Sequence, residues 1–392
     1  MKSFTTFIAE SATEASEKQL KHLEHAEDHI INAGKAGAMH ALANLHDVHR
    51  KMKGGNNSTK ITMKYDGSPS VIFGHHPETG KFFVASKSVF NKNPKLNYTD
   101  EDIQKNHGHA PGLVEKLKHA LKHLPKVSPS RGVYQGDIMH TKGDVKEEGG
   151  KVHFTPNTIT YSTPKGSHHG KSALESKIGV AVHTAYKGDT LSDMEAQYAP
   201  ELSHFGKHKD VHLISTQHNL EKVKYGEDHQ DKFRKHFKAA TSAVRRIPEE
   251  GHDAIAAHRE HVKTYINHTV RHDTKPTAEG FITHLKNWHQ KKIDGVKTQK
   301  AKDAKAVEMQ RSVHHVMENR KHFNDMLNAH KHLQAAKDVL THSLSSTADF
   351  AHHIRGKKSK PEGFVVVKNN RPTKFVDRAD FSKQNFLRGE DV

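Results

Sequence analysis

The stretch Ile61-Thr62-Met63-Lys64-Tyr65-Asp66-Gly67-Ser68-Pro69-Ser70-Val71-Ile72-Phe73-Gly74 reads as an apolar strand, a turn at Asp66-Gly67 and a second apolar strand. Lys64 closes the first strand. A lysine amine is ordinarily a solvated point charge, and it becomes a nucleophile where its neutral form is favoured. A turn two residues on fixes the strand exit, as in-line attack on a phosphate requires. The same spacing recurs at Lys292-Ile293-Asp294-Gly295, but there it comes after Asn287-Trp288-His289 and runs into polar helix formers with no flanking strand. That second copy reads as a decoy in a solvated helical segment.

Outward from Lys64, the pattern changes three times. Residues 12–52 carry helical spacing, with Leu20, Leu23, Ala26 and Ile30 in one run, breaks at Gly34 and Gly37, and Met39, Leu42, Leu45 and Val48 in the next. From about residue 59 to 188, short strands rich in β-branched and aromatic residues alternate with turns, around one helix from Pro111 to Leu124. Residues 189–355 are basic and helix-rich apart from a strand at Val211–Ser215, with breaks near Pro248, Gly251, Pro276 and Gly295. Strands return after residue 356, in Gly363-Phe364-Val365-Val366-Val367-Lys368 and the segment carrying Lys374. The expected organisation is a helical cap over residues 1–58, a strand-rich domain in two parts, 59–188 and 356–392, and a helical insertion, 189–355, between them.

Composition narrows the partners. Lys and Arg number 62 against 45 Asp and Glu, a net charge of +17 in 392 residues, which favours a polyanion, most simply nucleic acid. No apolar run is long enough to span a membrane, and the start Met1-Lys2-Ser3-Phe4-Thr5-Thr6-Phe7-Ile8 has too short an apolar core for a secretory signal. The chain has no cysteine, which excludes disulfides and thiolate chemistry and agrees with a reducing cytoplasm. Its 38 histidines lie mostly in lysine-rich helical stretches such as Lys21–His29 and are expected on solvated faces rather than in a metal site.

Lys64-x-Asp66-Gly67 resembles the nucleotidyl-lysine motif of the ATP- or GTP-dependent ligase and capping superfamily, and later segments resemble its other motifs in the same order. These are Lys87 in Ser86-Lys87-Ser88, Asp137 after Gly136 on a strand, Glu362-Gly363 before an apolar strand, and Lys374 on the next strand. The resemblance implies an α+β architecture: an antiparallel-sheet nucleotidyltransferase (ATP-grasp-like ligase) domain with a large helical insertion and an N-terminal helical cap. It implies ATP and Mg2+ as cofactors, with Lys64 as nucleophile, Lys374 on the α-phosphate, and Glu362 facing the metal. Asp66 would order the turn and orient either Lys64 or a 3′-hydroxyl. Nucleotide binding would fall to Thr62, Met63, Gly67, Lys87, Asp137, His183 and Lys368. Asp137 would stand in for a glutamate on the ribose, and His183, or in its place Tyr161 or Tyr186, would stack on the adenine. Val376 stands where a second lysine is usual, with Arg378 or Lys368 to compensate, or with the metal and one lysine sufficing.

The segment after Lys374 is too short for the barrel that capping enzymes and most DNA ligases carry, so the expectation is an RNA-ligase-like enzyme acting through lysyl-AMP on nucleic-acid ends, with no protein partner. A DNA nick-sealing ligase and a basic nucleic-acid-binding protein that keeps the fold without activity are the alternatives. The run from the His-Leu-Glu-His helix to Val182-His183-Thr184-Ala185-Tyr186 also resembles a family of tailed-phage proteins, which implies the cytoplasm of an infected bacterium.

Overall fold

The computed structural model describes residues 23–378. The opening segment Met1–Ile8 and the helical run before Leu23 lie outside them. The described chain forms two compact units, one built on Lys60–Glu221 and Thr347–Pro372, the other on Glu24–Thr59, Lys222–Ser346 and the segment from Thr373.

The first unit is α+β with largely antiparallel sheets. Lys60–Lys64 (β1), Ser70–His75 (β2) and Phe82–Ala85 (β3) lead to helices Asp100–His107 (α1) and Pro111–His123 (α2). Val133–Thr141 (β4), Lys146–Glu148 (β5), Lys151–Phe154 (β6) and Thr160–Pro164 (β7) come next, then His168–Glu175 (α3), Ile178–Lys187 (β8), Glu195–Tyr198 (β9) and Val211–Ser215 (β10). The chain later returns as Ala351–Ile354 (β11), Lys357–Ser359 (β12), Gly363–Lys368 (β13) and Arg371–Val376 (β14). One sheet runs β10-β8-β4-β2-β3 with β9 on β8, a second β12-β11-β7-β6-β5, and a third β1-β13-β14, whose last strand carries the chain out of this unit after Pro372. Only the β8/β10 pairing in the first sheet is parallel.

Both faces of that sheet are covered, so β2 reads as a continuous apolar run rather than an alternating one. Val71 and Phe73 pack with Val114 and Leu117 of α2, while Ile72 on the opposite face packs with Phe83, Val133 and Tyr186. Asn369 and Asn370 both take positive φ, 49° and 56°, the pair of left-handed residues that a two-residue β-hairpin turn requires. Asn370 also ties that turn to β9, accepting from Tyr198 N–H at 2.9 Å and donating to the Ala196 carbonyl at 2.7 Å.

The second unit is helical. Its first helix, His29–Met52 (α4), bends at Ala33-Gly34, where Gly34 takes φ 52°, and continues straight through Gly37. Glu227–Arg245 (α5), Glu249–Ala256 (α6), Arg259–His272 (α7), Ala278–Asp294 (α8), Gln299–Glu318 (α9) and Arg320–Leu344 (α10) complete it. Residues 24–59, expected to cap the strand-rich domain, group with these helices, whereas β9, β10 and β11, expected within the helical insertion, belong to the sheets. Leu23 to Ile30, expected as helix throughout, yields only a 3-10 turn at Ala26–Asp28 before α4 starts.

The histidines depart from the solvated-face expectation in part. His140, His212 and His169 form a chain of imidazoles with nitrogen separations of 3.0 and 2.9 Å, and the first two are fully buried. Among the described residues no group of three or more His, Cys, Asp or Glu is placed to hold a metal. Burial instead keeps these rings neutral: it pushes His140, His258 and His352 each down to about 4. Burial likewise lowers His25, to about 3, against the opposing pull of Glu27.

These imidazoles stay neutral in the fold down to about pH 4, while in the unfolded chain they protonate near 6.5. The unfolded state therefore binds more protons as pH falls through that window, and stability falls with it. Each fully buried ring adds at most ~1.4 kcal/mol per pH unit. Asp338, raised to about 7 by burial, acts with the opposite sign, but it is one group. Urea midpoints measured from pH 7.5 to 5 are expected to drop steadily; a flat profile contradicts the buried neutral state.

Candidate functional site

The register of two strands far apart in sequence builds the site. β1 and β13 are antiparallel with Lys64 opposite Gly363, which brings Glu362 to the end of Lys64. The Lys64 ammonium donates to Glu362 Oε1 in a close ion pair. Glu362 is nearly buried and Lys64 about a quarter exposed, so the pair is partly open to solvent on the lysine side.

The turn after Lys64 is held from several directions. Asp66 accepts from Asn157 Nδ2 at 2.8 Å and from the backbone N–H groups of Thr158 and Ile159 at 2.8 and 3.1 Å, while its own N–H donates to Tyr161 Oη at 2.6 Å. Both carboxylate oxygens are engaged inside the protein, so Asp66 positions the turn; the expected direct orientation of a substrate hydroxyl is not what this geometry offers. Lys116 of α2 reaches the Ser68 carbonyl at 3.0 Å, and Ser68 N–H donates to the Ile138 carbonyl at 3.0 Å. Gly67 lies against β4: a Cβ there would stand 2.5 Å from Asp137 Cβ and 2.9 Å from Met139 Sδ. Only a residue without a Cβ can approach β4 so closely.

Asp137 faces this turn from β4. It is paired across the sheet with Ser70 on one side and Ala181 on the other. The β4/β8 ladder slips between Gln135 and Gly136, so His183 has no partner in register; such bulges re-aim side chains. His183 Nε2 lies 3.6 Å from Asp137 Oδ1, and its Nδ1 lies 2.9 Å from Thr184 Oγ1. Burial works against charge on Asp137, yet the His183 imidazole, the Lys64 ammonium and a Ser70 hydrogen bond outweigh it and hold the carboxyl below its usual range. A relay supports Ser70: Tyr186 Oη donates to Gln135 Oε1 at 2.6 Å, and Gln135 Nε2 donates to Ser70 Oγ at 2.9 Å. Lys64, Glu362, Asp137 and His183 thus share one electrostatic neighbourhood.

Other expected residues fall elsewhere. Thr62 and Met63 are buried in β1, with Thr62 Oγ1 donating to the Val365 carbonyl at 3.3 Å and Met63 N–H to the Thr216 carbonyl at 2.7 Å, so both are held in the sheet interior. Tyr161 is fully buried as the anchor of Asp66, and Tyr186 is buried against Gln135, which leaves His183 as the half-exposed ring of the three. Lys87 is exposed at the start of a 3-10 turn just past β3, at the same end of the sheet as Ser70 and Asp137. Lys368 is a correction: it lies beyond the Lys60 to Val367 register pair, about 17 Å along the strand from Gly363, too far to act at Lys64. Lys374 falls in the second unit, where its N–H donates to the Glu24 carbonyl at 2.8 Å. Arg378, expected to compensate for Val376, is buried there on Asp28 at 2.7 Å and Asn267 at 2.8 Å and cannot reach a solvent-borne phosphate.

The decoy is also settled in its setting: Lys292 ends helix α8, with no strand on either side. Residues missed in the sequence are Ser70, Gln135 and the Asn157–Ile159 segment. Ser70 could be found from alternation along β2 once its register with β4 is known; nothing local marks the other two.

No helix among the described residues is long and apolar enough to cross a membrane. No curated protein and no solved structure matches the chain. A family model described as a family of unknown function, DUF6267, matches residues 20–389, and the chain belongs to that family.

Proposed function

We propose that the protein is an ATP-dependent polynucleotide ligase of the RNA-joining kind, working through an adenylyl group carried on Lys64. The single observation that carries this reading is the Lys64 to Glu362 pairing, because it joins two motif-like segments some three hundred residues apart at one point. A structural ion pair would serve packing alone; here Asp137 and His183 stand beside it, where a nucleotide's sugar and base would be met.

In the proposed step, Lys64 Nζ forms a bond to the α-phosphorus of ATP as the bond from that phosphorus to the pyrophosphate oxygen breaks. Glu362 holds Nζ in place and takes its first proton; the second leaves with pyrophosphate. The adenylyl group then passes to a nucleic-acid 5′-phosphate, and a 3′-hydroxyl displaces AMP to form the phosphodiester. Asp137 orients the ribose, and His183 covers the base. Asp137 is the carboxylate that would hold Mg2+, which takes one or two from a protein and the rest from phosphate and water, because Glu362 is neutral once it has taken the Lys64 proton. Bound there, the ion would neutralise charge building on the phosphate oxygens.

Purified protein incubated with ATP and Mg2+ is expected to gain the mass of one AMP, and the charged protein to transfer it to a 5′-phosphorylated strand. Competition between RNA ends and nicked DNA separates the RNA-joining from the nick-sealing enzyme. A folded protein that takes no nucleotide from ATP, GTP or NAD, with prior adenylylation excluded, favours the non-catalytic binding protein.

A further inference from the structure

The helical unit holds the chain's single tryptophan, Trp288 on α8. Together with His268 from α7 and His284, Asn287, Lys291 and Asp294 from α8 it lines a cavity of about 400 Å³, within the range of small-ligand pockets, roughly 300 to 1,000 Å³. Packing accounts for only part of these rings: the indole meets His261 at 4.4 Å and the buried His289 at 4.8 Å, both edge-on, and stays half-exposed. The core-facing stripe of α8 is already supplied by Phe281, Leu285 and His289 at four-residue spacing, all buried, whereas Trp288 is half-buried and His268 exposed.

The rings present separate faces, with the His268 and His284 planes tilted 59° apart. His268 lies 5.4 Å from His284 and is stacked on His272 at 4.1 Å. His261 meets the indole edge-on at 4.4 Å, and Lys292 Nζ lies 5.4 Å from its centroid, a cation-π contact that steadies the ring. Asp294 Oδ1 accepts from Gln290 Nε2 at 2.9 Å, so the acid is anchored at the rim. Flat, partly solvated rings beside two lysines, in a chain of net charge +17, match a ligand that is planar and apolar on its faces and anionic along its backbone.

We propose that this cavity is a stacking site for an unpaired nucleobase, through which the helical unit holds single-stranded nucleic acid. Trp288 takes the base on the face that Lys292 leaves open, His268 and His284 flank it, Asn287 and Asp294 meet its polar edge, and Lys291 faces the adjoining phosphate. The site stands whether or not Lys64 carries a nucleotide.

The lone tryptophan makes the test direct. Full-length protein is titrated with fluorescently labelled oligouridylate or oligodeoxythymidylate of about twelve nucleotides, with tryptophan emission and label anisotropy read together. Emission is expected to quench and saturate along with anisotropy for either sugar. Blunt duplex, whose bases are already stacked, and heparin, which has none, are expected to leave emission unchanged. Trp288→Leu is expected to weaken binding about tenfold and Trp288→Phe by less, since stacking survives on any aromatic face. The titration is run without ATP, so the quench does not depend on adenylylation of Lys64. Single strands that bind without quenching, equal quenching by heparin, or no binding of single strands would each overturn the site, and the parent titration decides this even where Trp288→Leu fails to fold.

Discussion

Lys64→Ala is expected to lower adenylyl transfer to the protein by several orders of magnitude, because it removes the only atom to which the nucleotide is bonded. Lys64→Arg is expected to do the same: a guanidinium stays protonated at any working pH and presents no lone pair. Glu362→Gln keeps shape and a hydrogen-bond acceptor but loses the charge opposite Nζ, and an effect of about 10²- to 10⁴-fold fits a group that accepts a proton. Lys292→Ala is expected to change nothing in this assay, since the decoy lies at the end of a helix without the strand, turn or facing carboxylate. Quantitative intact-mass kinetics with the four variants checks the set. Equal loss in Lys64→Ala and Lys292→Ala would mean that the loss reflects folding rather than chemistry.

Lys337→Met is expected to destabilise the helical unit by ~3–5 kcal/mol, the usual cost of stranding a buried charge. Lys337 and Glu27 are both fully buried, and the ammonium donates to the two carboxylate oxygens at 2.8 and 3.0 Å. Burial opposes charge on Glu27, and Lys337 overcomes it, holding the carboxyl below its usual range. The neighbouring Asp28 is bound by His330 at 2.9 Å and Arg378 at 2.7 Å, so the 3-10 turn Ala26–Asp28 is fastened to α10 and to the segment after β14 through charge rather than apolar contact alone. Glu27→Leu alone is expected to be similarly costly, and the double variant with Lys337→Met to recover part of the loss, because neither member of the fully buried pair is then stranded, although Asp338 loses Lys337 at 3.6 Å. Urea unfolding monitored through Trp288, which reports on this unit, measures all three. A loss below ~1 kcal/mol for the single variants would show the cluster to be solvated instead.

Local pattern carried the elements but not their grouping. The strands around Lys64, the isolated strand Val211–Ser215 and the hairpin after Glu362 are visible because apolar and β-branched runs end at glycine, proline or asparagine turns. The pairing of β1 with β13 is not local: only the order of motifs points to it, and the register Lys64 to Gly363 gives it a physical form. Residues 24–59 group with the helices through the buried apolar stripe of α4, Ile30, Leu42 and Leu45 among it, and through the long-range ion pairs Glu27 with Lys337 and Asp28 with Arg378, and neither kind of contact names its partner in the sequence. The same reason hid the buried histidines. A histidine in a lysine-rich run reads as solvated, yet His330 goes inside beside an acid, His25 is mostly covered near Glu27, and His140 and His212 go inside beside each other. Lys368 was misjudged because a strand position says nothing of which end meets the site until the partner's direction is known.

The central claim is that the nucleotide is carried on Lys64. Protein charged with ATP and Mg2+ can be digested under conditions that preserve the phosphoramidate and the peptides sequenced by mass. An AMP group on the peptide containing Met63-Lys64-Tyr65-Asp66 is the predicted result. AMP on the peptide containing Lys292, on any other lysine, or on none, would contradict it.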